Sequence, residues 1–196
     1  MTEFKQMLPE IVNILNSFRE QGLIKGYALI GGMAVATRGF PRATKDIDFF
    51  IAADEGYFRK EVAKKLETKG YSVEIYKGDF NDPLRGLIRI LDKDNTSLID
   101  LILAHREWQE EIINFAEEII LGDISVPIAR AEDLVVLKLK AGSPRDLLDA
   151  EELVKIISFS GRLDKSRLLS LAKKAKVDKK LEQLLFSLHL DIDKLK

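Results

Sequence analysis

Cysteine is absent from the 196-residue chain, which excludes disulfide bonds, thiolate metal sites and a cysteine nucleophile. Histidine is nearly absent. His105 and His189 are isolated from each other, so a histidine-rich zinc site is not expected. No stretch approaches the roughly 18 to 20 consecutive apolar residues needed to span a bilayer. The first apolar-periodic segment carries Glu3, Lys5 and Glu10, which does not suit a signal peptide. The expected location is the cytoplasm, with no membrane partner. An excess of one charge is also missing: the net charge is -1. Any nucleic-acid binding must therefore come from a local patch and not from the field of the whole molecule.

What is present is the balance of a globular chain, with 46% hydrophobic and 32% charged residues. Phe4, Met7, Leu8, Ile11, Ile14, Leu15 and Phe18 recur at helical spacing and predict an opening amphipathic helix. Residues 27–30 read as a short buried strand, and a small-residue helix begins at Gly31-Gly32. Gly39, Pro41 and Arg42 mark a loop before a strand over 46–52. A helix over 58–69 stops at Gly70, and strands follow over 71–76, 87–91 and 97–103. The last two are joined by a turn at 92–95, with another turn-rich stretch over 78–83. Trp108, Ile112 and Phe115 share one helix face and read as core. Strands over 119–121 and 124–128 flank Gly122-Asp123 as a hairpin. Helices are expected over 132–140, 144–159, 165–174 and 179–188, the second with Ser143 as N-cap and Pro144 in its first turn. The division expected is an α/β domain over 1–130 and a helical region over 131–196.

The chemistry concentrates in aspartates. In Lys45-Asp46-Ile47-Asp48-Phe49-Phe50-Ile51, two carboxylates at i and i+2 of a strand share one face, while Ile47, Phe49 and Ile51 share the other. Adjacent like charges raise each other's proton affinity and oppose folding unless a cation joins them. A hard divalent cation with oxygen ligands is the simplest remedy. Asp100 stands alone in the apolar run Ser97-Leu98-Ile99-Asp100-Leu101-Ile102-Leu103, and a buried lone carboxylate needs a partner. If its strand lies beside that of Asp46 and Asp48, it completes a three-carboxylate site. Either element alone has an ordinary reading, a solvated turn for the first and a structural aspartate for the second. Gly31 and Gly32, at the start of a helix, let backbone N–H groups approach an anion, or serve only as a tight turn.

In combination, Gly31-Gly32-Met33-Ala34, Arg42-Ala43-Thr44-Lys45-Asp46-Ile47-Asp48 and the later Asp100 resemble the nucleotidyltransferase superfamily of the DNA polymerase β type. The closest resemblance is to its AbiEii-like, toxin–antitoxin-associated branch. The segments Glu132-Asp133-Leu134-Val135-Val136-Leu137-Lys138-Leu139 and Pro144-Arg145-Asp146-Leu147-Leu148-Asp149 are similar to that branch too, so the resemblance runs from about Ala28 to Leu153. Gly32 stands where many superfamily members have serine, which removes a hydroxyl contact to phosphate.

The resemblance implies an α/β (α+β) fold, a mixed sheet with flanking helices and a helical C-terminal part. It implies transfer of a nucleoside monophosphate from an NTP to an acceptor, which could be tRNA, protein or a small molecule. Mg2+ or Mn2+ would be held by Asp46, Asp48 and Asp100, two metals about 4 Å apart clamping the attacking and leaving oxygens. Gly31 and Gly32 would hold the β- and γ-phosphates. Arg42 and Thr44 would contact phosphate or order the loop.

Two readings are open for Lys138: it reaches the triphosphate, or it snorkels to solvent. Asp146 and Asp149 are explained by the helix dipole near a helix start. The basic residues between Arg162 and Lys180 could dock an RNA acceptor, but without interleaved aromatics a solvated helical face is the simpler account. The rival function is a non-catalytic nucleotide-binding regulator or toxin–antitoxin partner. Retention of all three carboxylates favours the enzyme.

Overall fold

The computed structural model describes residues 2–44, 46–77, 86–91 and 97–190. The turns expected at 78–83 and 92–95 lie outside the described residues. The chain divides into two units, Met1–Met33 with Ala43–Ile128 and Ala34–Arg42 with Ala129–Lys196. The second unit takes in Ala34–Arg42, a short segment within the span 1–130 expected to be α/β.

The apolar runs read as strands all enter one sheet in the first unit. Its strands are β1 (Gly26–Ile30), β2 (Ile47–Ala52), β3 (Ser72–Lys77), β4 (Gly86–Leu91), β5 (Ser97–Leu103), β6 (Glu117–Leu121) and β7 (Ile124–Ile128). Their order is β3-β4-β5-β2-β1-β7-β6. The sheet is mixed: β2 runs parallel to β5 and β1 parallel to β7, and the remaining neighbours are antiparallel.

One residue parity sets the core face. Ile47 pairs with Ile99, and Ile99 with Ile90. Phe49 pairs with Leu101, and Leu101 with Ile88. All six of these side chains are buried. Tyr27 of β1 meets Phe49 edge-on, with ring centroids 5.8 Å apart. Its hydroxyl donates to Asn16 of the opening helix α1 (Thr2–Glu20) at 2.8 Å.

Helix α2 (Gly31–Thr37) follows β1 without a break. The helix expected over 58–69 is α3 (Glu55–Tyr57), a π-helical turn over Phe58–Val62 and α4 (Ala63–Thr68). Helix α5 (Glu107–Asn114) buries Trp108 and Ile112. Phe115, expected on the same buried face, is instead exposed, because it lies past the last helical turn as the C-cap.

The second unit is built on α6 (Ala131–Ala141), α7 (Pro144–Phe159), α8 (Lys165–Lys174) and α9 (Asp178–Ser187). Ser143 caps α7 through the Asp146 amide, with Pro144 in the first turn. Helix α6 is buried nearly all round, although it carries Glu132, Asp133 and Lys138. Each of these charges finds a partner, as burial requires. Arg167 of α8 donates two hydrogen bonds to Asp133, at 2.8 and 3.1 Å. The Glu132 carboxylate accepts from the Asp164 amide at 2.8 Å. The C-terminal carbonyl of Leu139 accepts from Lys180 at 2.9 Å. Among the described residues no helix is long and apolar enough to cross a membrane.

Burial pushes the Asp133 carboxyl up to about 6 from 3.8, against the opposing pull of Arg167. Between those values the folded chain keeps a proton that the unfolded chain releases. The stability contributed by this group therefore falls as pH rises through that window, and the loss is complete above about 6. A shift of this size corresponds to about 3 kcal/mol. Thermal melts should show the wild type losing stability relative to Asp133→Asn between about pH 4 and 6, with the difference constant above.

Candidate functional site

The core parity that buries Ile47, Phe49 and Ile51 turns Asp48 to the opposite face, since successive side chains of a strand alternate. The same holds for Asp100 between Ile99 and Leu101. Strands β2 and β5 are neighbours, and their register places Asp48 directly beside Asp100. In-register residues on adjacent strands share a face at a spacing of about 4.8 Å. The register makes Asp100 the neighbour of Asp48 and does not extend to Asp46.

The row continues. Asp100 is the register partner of Arg89 on β4, and Arg89 that of Glu74 on β3. The Arg89 guanidinium donates to both Asp100 oxygens, Nε to Oδ1 at 2.9 Å and Nη2 to Oδ2 at 3.1 Å. It also lies over the Tyr76 ring, 5.2 Å from the centroid. The hydrogen bonding of Arg89 to Asp100 is the largest of the influences that raise the Arg89 pKa further above its ordinary value. Arg89 was not singled out from the sequence.

On the other side, β1 delivers Gly31. Ile30 pairs with Asp48, and Gly31 has φ +68°. A Cβ built on Gly31 would lie 1.9 Å from Asp48 Oδ2, 2.7 Å from its Cγ and 2.9 Å from its Cβ. The absence of a side chain at 31 is what leaves room for the Asp48 carboxylate.

Asp46 is exposed and lies just ahead of β2. The Thr44 hydroxyl donates to its carbonyl at 3.0 Å, a contact within the loop. Among the described residues no group of three or more His, Cys, Asp and Glu is gathered so as to hold a metal ion. The register joins Asp48 to Asp100 and leaves Asp46 outside the strand pair. Two adjacent carboxylates nevertheless suit Mg2+, which commonly takes one or two protein carboxylates and completes its shell with water and substrate phosphates. The donor chemistry fits.

Arg42, Lys138, Asp146 and Asp149 meet within the second unit. Asp149 is fully buried. It pairs with Lys138 at 2.9 Å and with Arg42 through Nε and Nη2, both at 2.9 Å. Lys138 also bonds Asp146 at 2.8 Å. It is buried and does not snorkel to solvent. Asp146 closes a capping box with Ser143, in keeping with a helix-start role. For Asp149 the dipole reading is replaced: it lies beyond the first turn and its partners are tertiary cations.

The chain matches the family model described as nucleotidyl transferase AbiEii toxin, type IV toxin–antitoxin system, over residues 13–194. The chain belongs to the AbiEii nucleotidyltransferase family. No curated protein sequence matches it. Among solved structures, the antibiotic-resistance factor ANT(2'')-Ia is similar at 17% identity and a TM-score of 0.52, with 94% of this chain and 98% of that chain covered. An antigenic nucleotidyltransferase-like protein from Paracoccidioides brasiliensis is similar at 18% identity and a TM-score of 0.48, with 90% of each chain covered. The mixed sheet with its helices is a nucleotidyltransferase fold, and this family member is a nucleotidyltransferase.

Gly31 and Gly22 provide a matched comparison. Both have positive φ, but a Cβ at Gly22 would meet nothing within 4 Å. Gly22→Ala should cost only the left-handed backbone penalty of about 1 kcal/mol. Gly31→Ala should cost at least about 2 kcal/mol more, because rotating the Asp48 carboxylate relieves only part of the overlap and backbone must shift. Urea unfolding of the two variants measures the difference.

Proposed function

We propose that this nucleotidyltransferase moves a nucleoside monophosphate from an NTP to an acceptor, using Mg2+ or Mn2+ at Asp48 and Asp100, with Asp46 joining from the loop ahead of β2. The observation supporting this is the in-register adjacency of Asp48 and Asp100 on one sheet face, with Gly31 cleared beside Asp48. Two carboxylates held side by side are costly unless a cation serves them both. When bound, the metal neutralises phosphate charge and orients the phosphates for in-line displacement.

In that displacement an acceptor hydroxyl gives up its proton to solvent and attacks the α-phosphorus, the bond from that phosphorus to the α,β-bridging oxygen breaks, and pyrophosphate leaves. Gly31 and Gly32, opening α2, offer backbone N–H groups to the β- and γ-phosphates. Thr44 orders the loop through the Asp46 carbonyl, and Arg42 does so through Asp149. Lys138 spends two of its three N–H donors on Asp146 and Asp149, so nucleotide contact at Lys138 would share its ammonium with that buried cluster. The acceptor is an RNA, a protein or a small molecule. The family's toxin–antitoxin character makes an antitoxin the expected cellular partner.

Purified protein with Mg2+ or Mn2+, α-labelled NTPs and either total RNA or cell extract should transfer label. Asp46→Ala, Asp48→Ala and Asp100→Ala should each reduce transfer on the order of 100-fold or more, the scale of a lost electrostatic contact at the reacting phosphate. Equal transfer by wild type and all three variants would sink this reading.

A further inference from the structure

We infer that Arg89 is a positioning residue: the resident counter-ion of Asp100, which a divalent cation must displace from that carboxylate before Asp100 can serve as its ligand. The inference rests on the metal reading of Asp48 and Asp100 and names a residue that regulates it.

Three observations carry it. First, the Arg89 fork engages both oxygens of Asp100, at 2.9 and 3.1 Å. A bidentate guanidinium is the strongest partner a carboxylate finds in a protein other than a metal. It occupies the lone pairs a cation would use. Second, the engaged carboxylate is the one in register with Asp48, so the pair sits at the candidate metal position and not at a remote surface. The Asp100 side chain is 15% exposed and that of Arg89 31%, which keeps the exchange open to solvent ions.

Third, Arg89 has an alternative resting place. Its Nη1 lies 3.5 Å from the Tyr76 hydroxyl, and its guanidinium rests over the Tyr76 ring. The same hydroxyl donates to Glu74, the register partner of Arg89 on the side away from Asp100. When Asp100 turns to a metal, Arg89 remains held by an aromatic face beside an acid on β3. A guanidinium with that support can yield its carboxylate without being left buried and unpaired. An ion pair that served only to join β4 to β5 would not need the Tyr76–Glu74 platform on its far side.

The test is Mn2+ binding to nucleotide-free protein, followed by electron paramagnetic resonance of the free ion, in wild type, Arg89→Met, Arg89→Lys, Asp100→Asn and Arg89→Met/Asp100→Asn. Arg89→Met should tighten Mn2+ about tenfold, the Coulomb scale for removing a unit charge about 6 Å from a divalent ion at a water-like dielectric. Arg89→Lys keeps the charge but loses the fork, and should fall between the two. The gain should vanish in the double variant. Circular dichroism melts establish that each variant is folded, and Arg89→Lys gives the reading if Arg89→Met is not. Wild-type affinity that depends on Asp100 but is unchanged or weakened in both Arg89 variants overturns the inference and leaves the metal site standing. Mn2+ affinity unchanged by Asp100→Asn overturns the metal site at Asp100, and the inference with it.

Discussion

Two aspartates stand side by side on adjacent parallel strands, and the rest of the site is arranged around that contact. Their repulsion does not decide the register. At about 5 Å two unit charges repel by roughly 1 to 3 kcal/mol for dielectrics between those of water and a protein surface. The opposite parity buries Ile47, Phe49, Ile51, Ile99, Leu101 and Leu103, and burying six such side chains is worth on the order of 10 kcal/mol. A slip of one residue between β2 and β5 would turn all of one strand's apolar set outward. The hydrophobic face therefore holds the acids together against their own charge.

The helical unit handles buried charge differently. There, Asp133 has the two-pronged bond from Arg167, and Asp149 has both Lys138 and Arg42. These pairs are local in space but distant in sequence, and they let α6 be buried nearly all round despite its charged residues. Removing one partner of such a pair leaves a charge in low dielectric, which is why buried pairs are costly to break even where they add little net stability. In the sheet row, by contrast, Arg89 lies among three acids: Glu74, Asp100 and Asp48 occupy the register positions on β3, β5 and β2. A concentration of negative charge on one partly exposed strand face is what a cation-dependent phosphate site requires.

Much of this was legible in residue order. The start of α7 follows from its cap, Ser143-Pro144, and the turn of Asp48 away from Ile47 and Phe49 follows from strand parity. What required tertiary structure was adjacency. Asp100 could be recognised as a misplaced charge, but its neighbour could not, because β2 and β5 are separated in the chain by two other strands. Gly31 was read as a phosphate contact. Its clearance for Asp48 depends on the β1–β2 register, which no local pattern encodes. Asp149 was read as a dipole residue because Arg42, 107 positions away, leaves no mark near it. Arg89 did leave a mark: a single cation within Leu87-Ile88-Arg89-Ile90-Leu91 is as anomalous as Asp100 within its own run. Two opposite anomalies in strands expected to form a hairpin are a signal for an ion pair across that hairpin.

The two flanks of the acid pair act by different physics. From β1, Gly31 acts by what it lacks: a single carbon would occupy the Asp48 carboxylate's space. From β4, Arg89 acts by what it adds: a positive charge and a two-pronged bond on Asp100. Steric clearance is short-ranged and indifferent to salt, whereas the charge of Arg89 extends over a Debye length of about 8 Å at physiological ionic strength. Substitutions on the two sides should therefore not be equivalent. A change at Gly31 alters where the Asp48 carboxylate can be, while a change at Arg89 alters how strongly a cation is drawn to a carboxylate whose backbone position the hydrophobic register has already set. Geometry and affinity at this pair are thus under the control of different strands.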